Sequence, residues 1–269
     1  MKEITDVNVI KELELGVLIE IHNFCVKHNL QYFLACGTLI GAIRHNGFIP
    51  WDDDIDIMMK RKDYDFFIHH FGNDRYGVNS CTTNKNYYWS YAKAYDKHTL
   101  KIENKKSYKL NQGVDVDIFV LNDCCDIDFA KRKEKKRRIL QVLWSFSIRD
   151  WKKVTSFKCF IANLVSVFLR PLSNHLAKKM NRLTLMDKNQ SDVCNHYQIF
   201  SLVGNRIHIM EKEWFSKQIP HKFEKYYFFI PVGYDQVLKE EFGDYMKLPP
   251  IEQRVSHHSN RVFYIEDEK

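Results

Sequence analysis

The sequence predicts an α+β fold, a mixed β-sheet core flanked by helices and carrying a basic helical insert. Three observations predict it. The segments Asp54–Met58 and Gly113–Val120 alternate carboxylates with aliphatic residues, as strands with one polar and one apolar face do. Apolar residues recur at helical spacing before them, over residues 6–29. Residues 131–182 hold fifteen Lys or Arg against two acids, a balance of +13 on a chain of net charge +7, which leaves the remainder at −6.

The elements follow in order. Val9, Ile10, Leu13, Val17, Leu18, Ile21 and Phe24 mark the first helix. Gln31–Cys36 is short, apolar and bounded by Gly37, which predicts a buried strand. Thr38 is placed to cap a short helix over 39–45. Gly47 and Pro50 mark a loop, Asp54–Met58 a strand and Lys62–Phe71 a helix. Strands are expected around Tyr88–Tyr95 and Thr99–Glu103, then over Gly113–Val120, where Asp115 and Asp117 share one face. Residues 127–148 and 155–187 read as helices that carry the basic charge. An aromatic strand at Tyr226–Ile230 and a helix over Tyr234–Phe242, ended by Gly243, complete the pattern.

The totals exclude several classes. A chain of 269 residues, 45% hydrophobic and 28% charged, is long enough to bury a sizeable core and is not intrinsically disordered. Seven Cys, an odd number with no CxxC pair, argue against a disulfide framework and for a reducing compartment. Cys124 and Cys125 have no partner pair at zinc spacing and are expected to be buried or idle thiols. The N-terminus lacks a signal-peptide apolar region, and no run of eighteen apolar residues occurs, so the protein reads as cytoplasmic.

Asp52, Asp53, Asp54 and Asp56 place four carboxylates in five residues. Residues two apart on a strand project together, roughly 6.5–7 Å apart, so Asp54 and Asp56 repel unless something neutralises them. A hard divalent cation with oxygen ligands does so. Asp117, on a second alternating strand, could reach the same place, and three carboxylates on two strands can hold two Mg²⁺ or Mn²⁺ ions that clamp a phosphoryl group in transfer. An EF-hand starting at Asp52 fails, because Ile57 and Asp63 stand where Gly and Glu are required. Gly37-Thr38 entering a helix offers amides and a hydroxyl to phosphate oxygens, and Arg44 could add a charged fork. The alternative for the acidic run is a solvated loop, which leaves its alternation with Ile unexplained.

Gly37-Thr-Leu-Ile-Gly-Ala-Ile-Arg44 followed by Phe48-Ile-Pro-Trp-Asp-Asp-Asp-Ile-Asp56 resembles the signature of the LicD family, whose choline-phosphate transferases decorate bacterial surface glycans. Fukutin-related sugar-phosphate transferases are similar. Lys93 through Asp96-Lys-His-Thr99, Asp115-Val-Asp-Ile-Phe119 and Tyr234 through Pro250 to His257 resemble three further family segments. Two departures are a long Gly37-to-Asp54 spacing, usual for LicD-like chains, and Val120 where many relatives have Pro.

The resemblance implies a nucleotidyltransferase-like catalytic core over 1–126, a basic helical insert over 127–190 and a C-terminal segment over 191–269 that packs on or completes the core. It implies that Asp54, Asp56 and Asp117 are catalytic and bind metal. Gly37, Thr38, Arg44, Asp53 and Lys93 would hold the donor's phosphates or nucleotide. The implied reaction moves phosphocholine from CDP-choline to a hydroxyl of a cell-surface glycan (teichoic acid, lipopolysaccharide or capsule precursor) and releases CMP. Ribitol phosphate, glycerol phosphate or a nucleotide are the alternative cargoes. Aromatics that could cradle a choline ammonium are Trp51, Tyr87, Tyr88, Trp89 and Tyr91, with core packing the ordinary role of each. His257 or His258 could touch phosphate or acceptor.

The basic insert has two further readings. Lys131–Arg138 suits a nucleic-acid backbone, but no nucleic-acid motif accompanies it and it leaves the acidic strands unexplained, so no nucleic acid is expected. Basic helices with Trp, Phe and Leu beside the charge suit an anionic inner membrane leaflet, where a lipid-linked glycan acceptor would be met. A protein partner for the same faces stays open.

Overall fold

The computed structural model describes residues 1–103, 112–149, 155–183, 194–201, 206–255 and 260–265. The expected helical stretch 184–187, His257 and His258 lie outside them. In chain order the elements are β1 (Lys2–Ile4), α1 (Val7–His28), β2 (Tyr32–Leu34), α2 (Cys36–His45), β3 (Asp56–Lys60), α3 (Arg61–His70), β4 (Tyr76–Asn79), β5 (Ala92–Asp96), β6 (Thr99–Glu103), β7 (Asp115–Cys124), α4 (Ile127–Ser147), α5 (Phe157–Leu169), α6 (Ser173–Leu183), β8 (His196–Ser201), β9 (Arg206–Glu211), β10 (Gln218–Phe223), β11 (Tyr226–Pro231), α7 (Tyr234–Phe242) and β12 (Asn260–Tyr264). The α+β class holds.

The main sheet runs β2-β3-β7-β5-β4, with β8 also paired to β7 and β9 to β8. It is mixed: β3 and β7 are parallel, and the other pairings are antiparallel. β7 is long enough to take β5 along its first residues and β8 along Asn122–Cys124. A three-stranded sheet β1-β12-β6 and a hairpin β10-β11 lie outside it.

Local chemistry explains the helix ends. Asp6 caps α1 by accepting the Asn8 amide, and Asn29 ends it in the left-handed conformation, φ 54°. Gly243 ends α7 at φ 70°. One core joins Val17, Leu18 and Ile21 of α1 to Phe33 of β2, Ile57 and Met59 of β3, Phe67 of α3 and Ile118 of β7.

Several expectations are corrected. Thr38 does not cap a helix over 39–45; α2 starts three residues earlier, at Cys36, with Ala35 at the N-cap and no side-chain cap. β3 starts at Asp56, so Asp54 lies in the loop before the strand. Residues 56–59 are all buried, with no solvated face, as expected of a strand beside a parallel neighbour and covered by helices. The Tyr88–Tyr95 strand begins only at Ala92, and β4, which was not expected, buries Gly77 and Asn79 rather than Tyr76 and Val78. Cys125 is not an idle thiol: the turn after β7 sets it beside Cys194, just ahead of β8, and the two form a disulfide.

Candidate active site

Sheet register builds the centre of the site. Asp56 of β3 is paired with Asp117 of β7, and Asp117 with Lys93 of β5, so three charged residues lie in one row across three neighbouring strands. Lys93 Nζ stands 2.6 Å from Asp117 and 2.8 Å from Asp115. Asp115 is also met by Lys101 at 2.5 Å and by the Gln112 amide at 2.6 Å. All six side chains come from strands or from the turn that leads into β7.

The turn into α2 covers the row. The Asp56 amide donates to the Thr38 hydroxyl at 2.8 Å, and the Ala35 amide donates to the Asp56 carbonyl at 2.9 Å. Thr38 therefore ties the first turn of α2 to the first residue of β3. Gly37 is required by a close approach: a Cβ there would stand 2.6 Å from an Asp52 carboxylate oxygen. Gly41 is required by another, since its Cβ would meet the Gly47 carbonyl oxygen at 2.4 Å. The glycines of the motif thus let the acidic loop fold back onto α2.

The electrostatics divide the carboxylates into two groups. Burial would raise Asp115, but Lys101 and Lys93 outweigh it and hold its carboxyl well below the usual range. The opposite holds at Asp56, where burial and then Asp54, Asp117 and Asp52 push the group up against the weaker pull of Lys93. Asp52 rises to about 7 through burial and the charges of Asp54 and Asp53. Asp117 is raised by burial, with Lys93 opposing. Asp52, Asp56 and Asp117 thus form a centre short of positive charge.

Glu14, Lys101, Asp115 and Asp52 are neighbours that sequence reasoning did not assign to the site. Glu14 is fully buried on α1, and neither carboxylate oxygen has a hydrogen-bond partner among the described residues. Its nearest cation is Lys101, 3.9 Å away. Burial, then the charges of Asp54, Asp115 and Asp53, push it well up. A signal existed: Glu14 sits inside the apolar stripe of α1, with Val17, Leu18 and Ile21 on the same side.

The other expected residues lie apart from the row. Arg44 donates to the Tyr245 carbonyl at 2.6 Å, which joins α2 to the segment after α7. Trp51 is half-buried with the Arg254 guanidinium 5.5 Å from its ring centre. Tyr88 and Trp89 are core residues, and Trp89 packs on Trp144 at 5.2 Å. Lys93 already lies 5.5 Å from the Trp89 ring. Asp96, in the second family-like segment, is buried and held by Arg75 at 2.8 Å, so it secures the β5–β6 turn.

An all-carboxylate, partly buried donor set with surplus negative charge fits a hard divalent cation. Among the described residues no three His, Cys, Asp or Glu side chains converge as ready ligands, so such an ion would require the carboxylates to turn toward it. Asp52, Asp54, Asp56 and Asp117 are the side chains that would hold it.

A Thr-bearing helix turn thus lies beside paired carboxylates on parallel strands. Residues 29–141 match the family described as LicD/FKTN/FKRP, nucleotidyltransferase domain. The chain is 31% identical over 261 residues to the lipopolysaccharide cholinephosphotransferase LicD of Haemophilus influenzae, covering 93% of this chain and 95% of that protein. Two uncharacterised proteins, of Rickettsia prowazekii and Rickettsia typhi, are 48% identical over 42 residues, 16% of this chain and 16% and 14% of theirs. The chain belongs to the LicD family. It is an enzyme of that type, a transferase of phosphate-containing groups.

Proposed function

We propose that this enzyme transfers phosphocholine from CDP-choline to a hydroxyl of a bacterial cell-surface glycan and releases CMP. The similarity to a lipopolysaccharide cholinephosphotransferase along 93% of the chain supports the cargo and a lipopolysaccharide-type acceptor. The single structural observation that carries the chemistry is the Asp56–Asp117–Lys93 row under the Thr38 turn.

Each residue has a task in this reading. Asp56 and Asp117, with Asp54 and Asp52, would hold one or two Mg²⁺ ions. Bound there, Mg²⁺ would neutralise charge on the transferring phosphoryl group and lower the pKa of the attacking hydroxyl. The first-turn amides of α2 would face the donor phosphates, and Gly37 lets the Asp52 carboxylate close against that turn. Asp117 orients the acceptor hydroxyl, and Lys93 fixes Asp117 while adding positive charge beside it. Trp51, half-buried, is the aromatic that would meet a choline ammonium, because Tyr88 and Trp89 are packed in the core. The acceptor would be met at the inner membrane face, with the basic helical segment turned toward the anionic leaflet.

The test is a panel of CDP-linked donors (choline, ribitol, glycerol) with Mg²⁺, with and without glycan acceptor, scored for CMP. CMP release from CDP-choline that increases with acceptor is expected. Turnover of CDP-ribitol or CDP-glycerol alone would move the reading to another cargo.

A further inference from the structure

α5 is built inside out. Its two fully buried residues are polar, Asn163 and Ser166, and Ser166 donates to the Arg149 carbonyl at 3.1 Å. Its apolar residues face away from the protein: Phe157, Phe160, Ile161, Leu164, Val165 and Phe168 are exposed, Phe157 at 75% and Phe168 at 72%. A helix in water turns its apolar stripe to the core. An outward apolar face is favourable where it can be buried at the headgroup and acyl boundary of a bilayer. α4 leads into the same region. The helical positions Arg132, Lys135 and Lys136 are exposed, and the same face continues into Ile139, Val142 and Leu143, also exposed.

We infer that the outward face of α5, with the C-terminal half of α4, inserts into the headgroup boundary of an anionic bilayer, while the basic half of α4 lies on its surface. Charge complementarity selects this occupant: a dry apolar partner would not use the +13 of residues 131–182. Length sets the depth. The 13 residues of α5 span about 20 Å, short of the ~30 Å hydrocarbon core, so the helix lies in the interface rather than across it. No described helix is long and apolar enough to cross a membrane. The inference deepens the proposed function, because an acceptor built on a membrane-bound carrier would be met on that surface. It does not depend on the cargo, and its test reads no activity, so either reading can fail alone.

Vesicle flotation tests it, using phosphatidylcholine vesicles with and without phosphatidylglycerol. The full chain should float with anionic vesicles at about 0.05 M salt and be released largely at about 0.5 M, where screening shortens to a few ångströms. Phe157→Asp combined with Phe168→Asp alters only exposed positions, so the variant should melt as wild type does. It should lose about 10-fold or more in vesicle affinity. Arg132→Gln, Lys135→Gln and Lys136→Gln together should remove the preference for phosphatidylglycerol. Wild type that stays unbound with anionic vesicles at low salt would overturn the inference. So would a self-association of wild type that Phe157→Asp/Phe168→Asp abolishes without any vesicle binding, which would assign the face to a second copy.

Discussion

The acid row and α5 break the usual partition of residues in opposite senses. Around β3 and β7, carboxylates are withdrawn from water: Glu14, Asp56 and Asp115 are buried. On α5, large apolar side chains are left outside and polar ones taken in. The comparison teaches where stability was given up. The structural parts, such as the Val17–Leu18–Ile21 stripe of α1 against β2 and β3, follow the ordinary rule. Crowded buried carboxylates repel, and exposed Phe and Leu leave their transfer free energy unrealised in water. In the proposed reading each departure would be relieved by something outside the chain: a cation and phosphoryl group at one, a lipid surface at the other.

The largest effect should come from the raised carboxylates. Asp56→Asn and Asp117→Asn keep the shape and remove a charge, so transfer should fall by orders of magnitude while the thermal midpoint holds or rises. Denaturation curves beside initial rates of CMP release check this; a midpoint that drops in step with the rate would break the comparison. Asp115 should behave oppositely, although it is two residues from Asp117. Asp115→Asn strips Lys101 and Lys93 of a shared partner, and breaking such a buried pair costs about 3 kcal/mol in urea unfolding.

At α5 the polar side should matter and the apolar side should not. Asn163→Leu exchanges a fully buried amide for an aliphatic group and should cost about 1–2 kcal/mol. Phe168→Ser, at 72% exposure, should change unfolding free energy in water by less than about 0.5 kcal/mol. If Phe168→Ser were the more damaging of the two, α5 would be an ordinary core-facing helix.

Much of this was legible in the sequence, for identifiable reasons. Helix α1 and strand β7 carry strong local periodicity, and the Gly37–Asp56 motif is long enough to specify both fold and family. The row itself was only half legible. Alternation announced Asp56 and Asp117, but the register that brings Lys93 beside them comes from pairing β5 with β7, a long-range choice. Lys101 meets both Asp115 and Glu14, from positions remote in sequence, through the same kind of closure. Thr38 was misread as a cap because a Ser or Thr before an apolar run gives the same local signal as one whose hydroxyl serves a neighbouring strand. The Cys125–Cys194 bond was illegible because nothing local shows that β8 returns beside the end of β7. The charge of residues 131–182 was plain, whereas the inversion of α5 was not, since periodicity does not say which face is turned inward.

In the proposed reading the carboxylates around Asp56 and Asp117 would bind a divalent ion together with the donor. Titration of Mn²⁺ by electron paramagnetic resonance in the presence of CDP-choline tests this directly, comparing wild type with Asp56→Asn and Asp117→Asn. Saturable Mn²⁺ uptake by wild type, lost by both variants while they remain folded, is expected. Equal uptake by all three proteins, or none by wild type with the donor present, would contradict it.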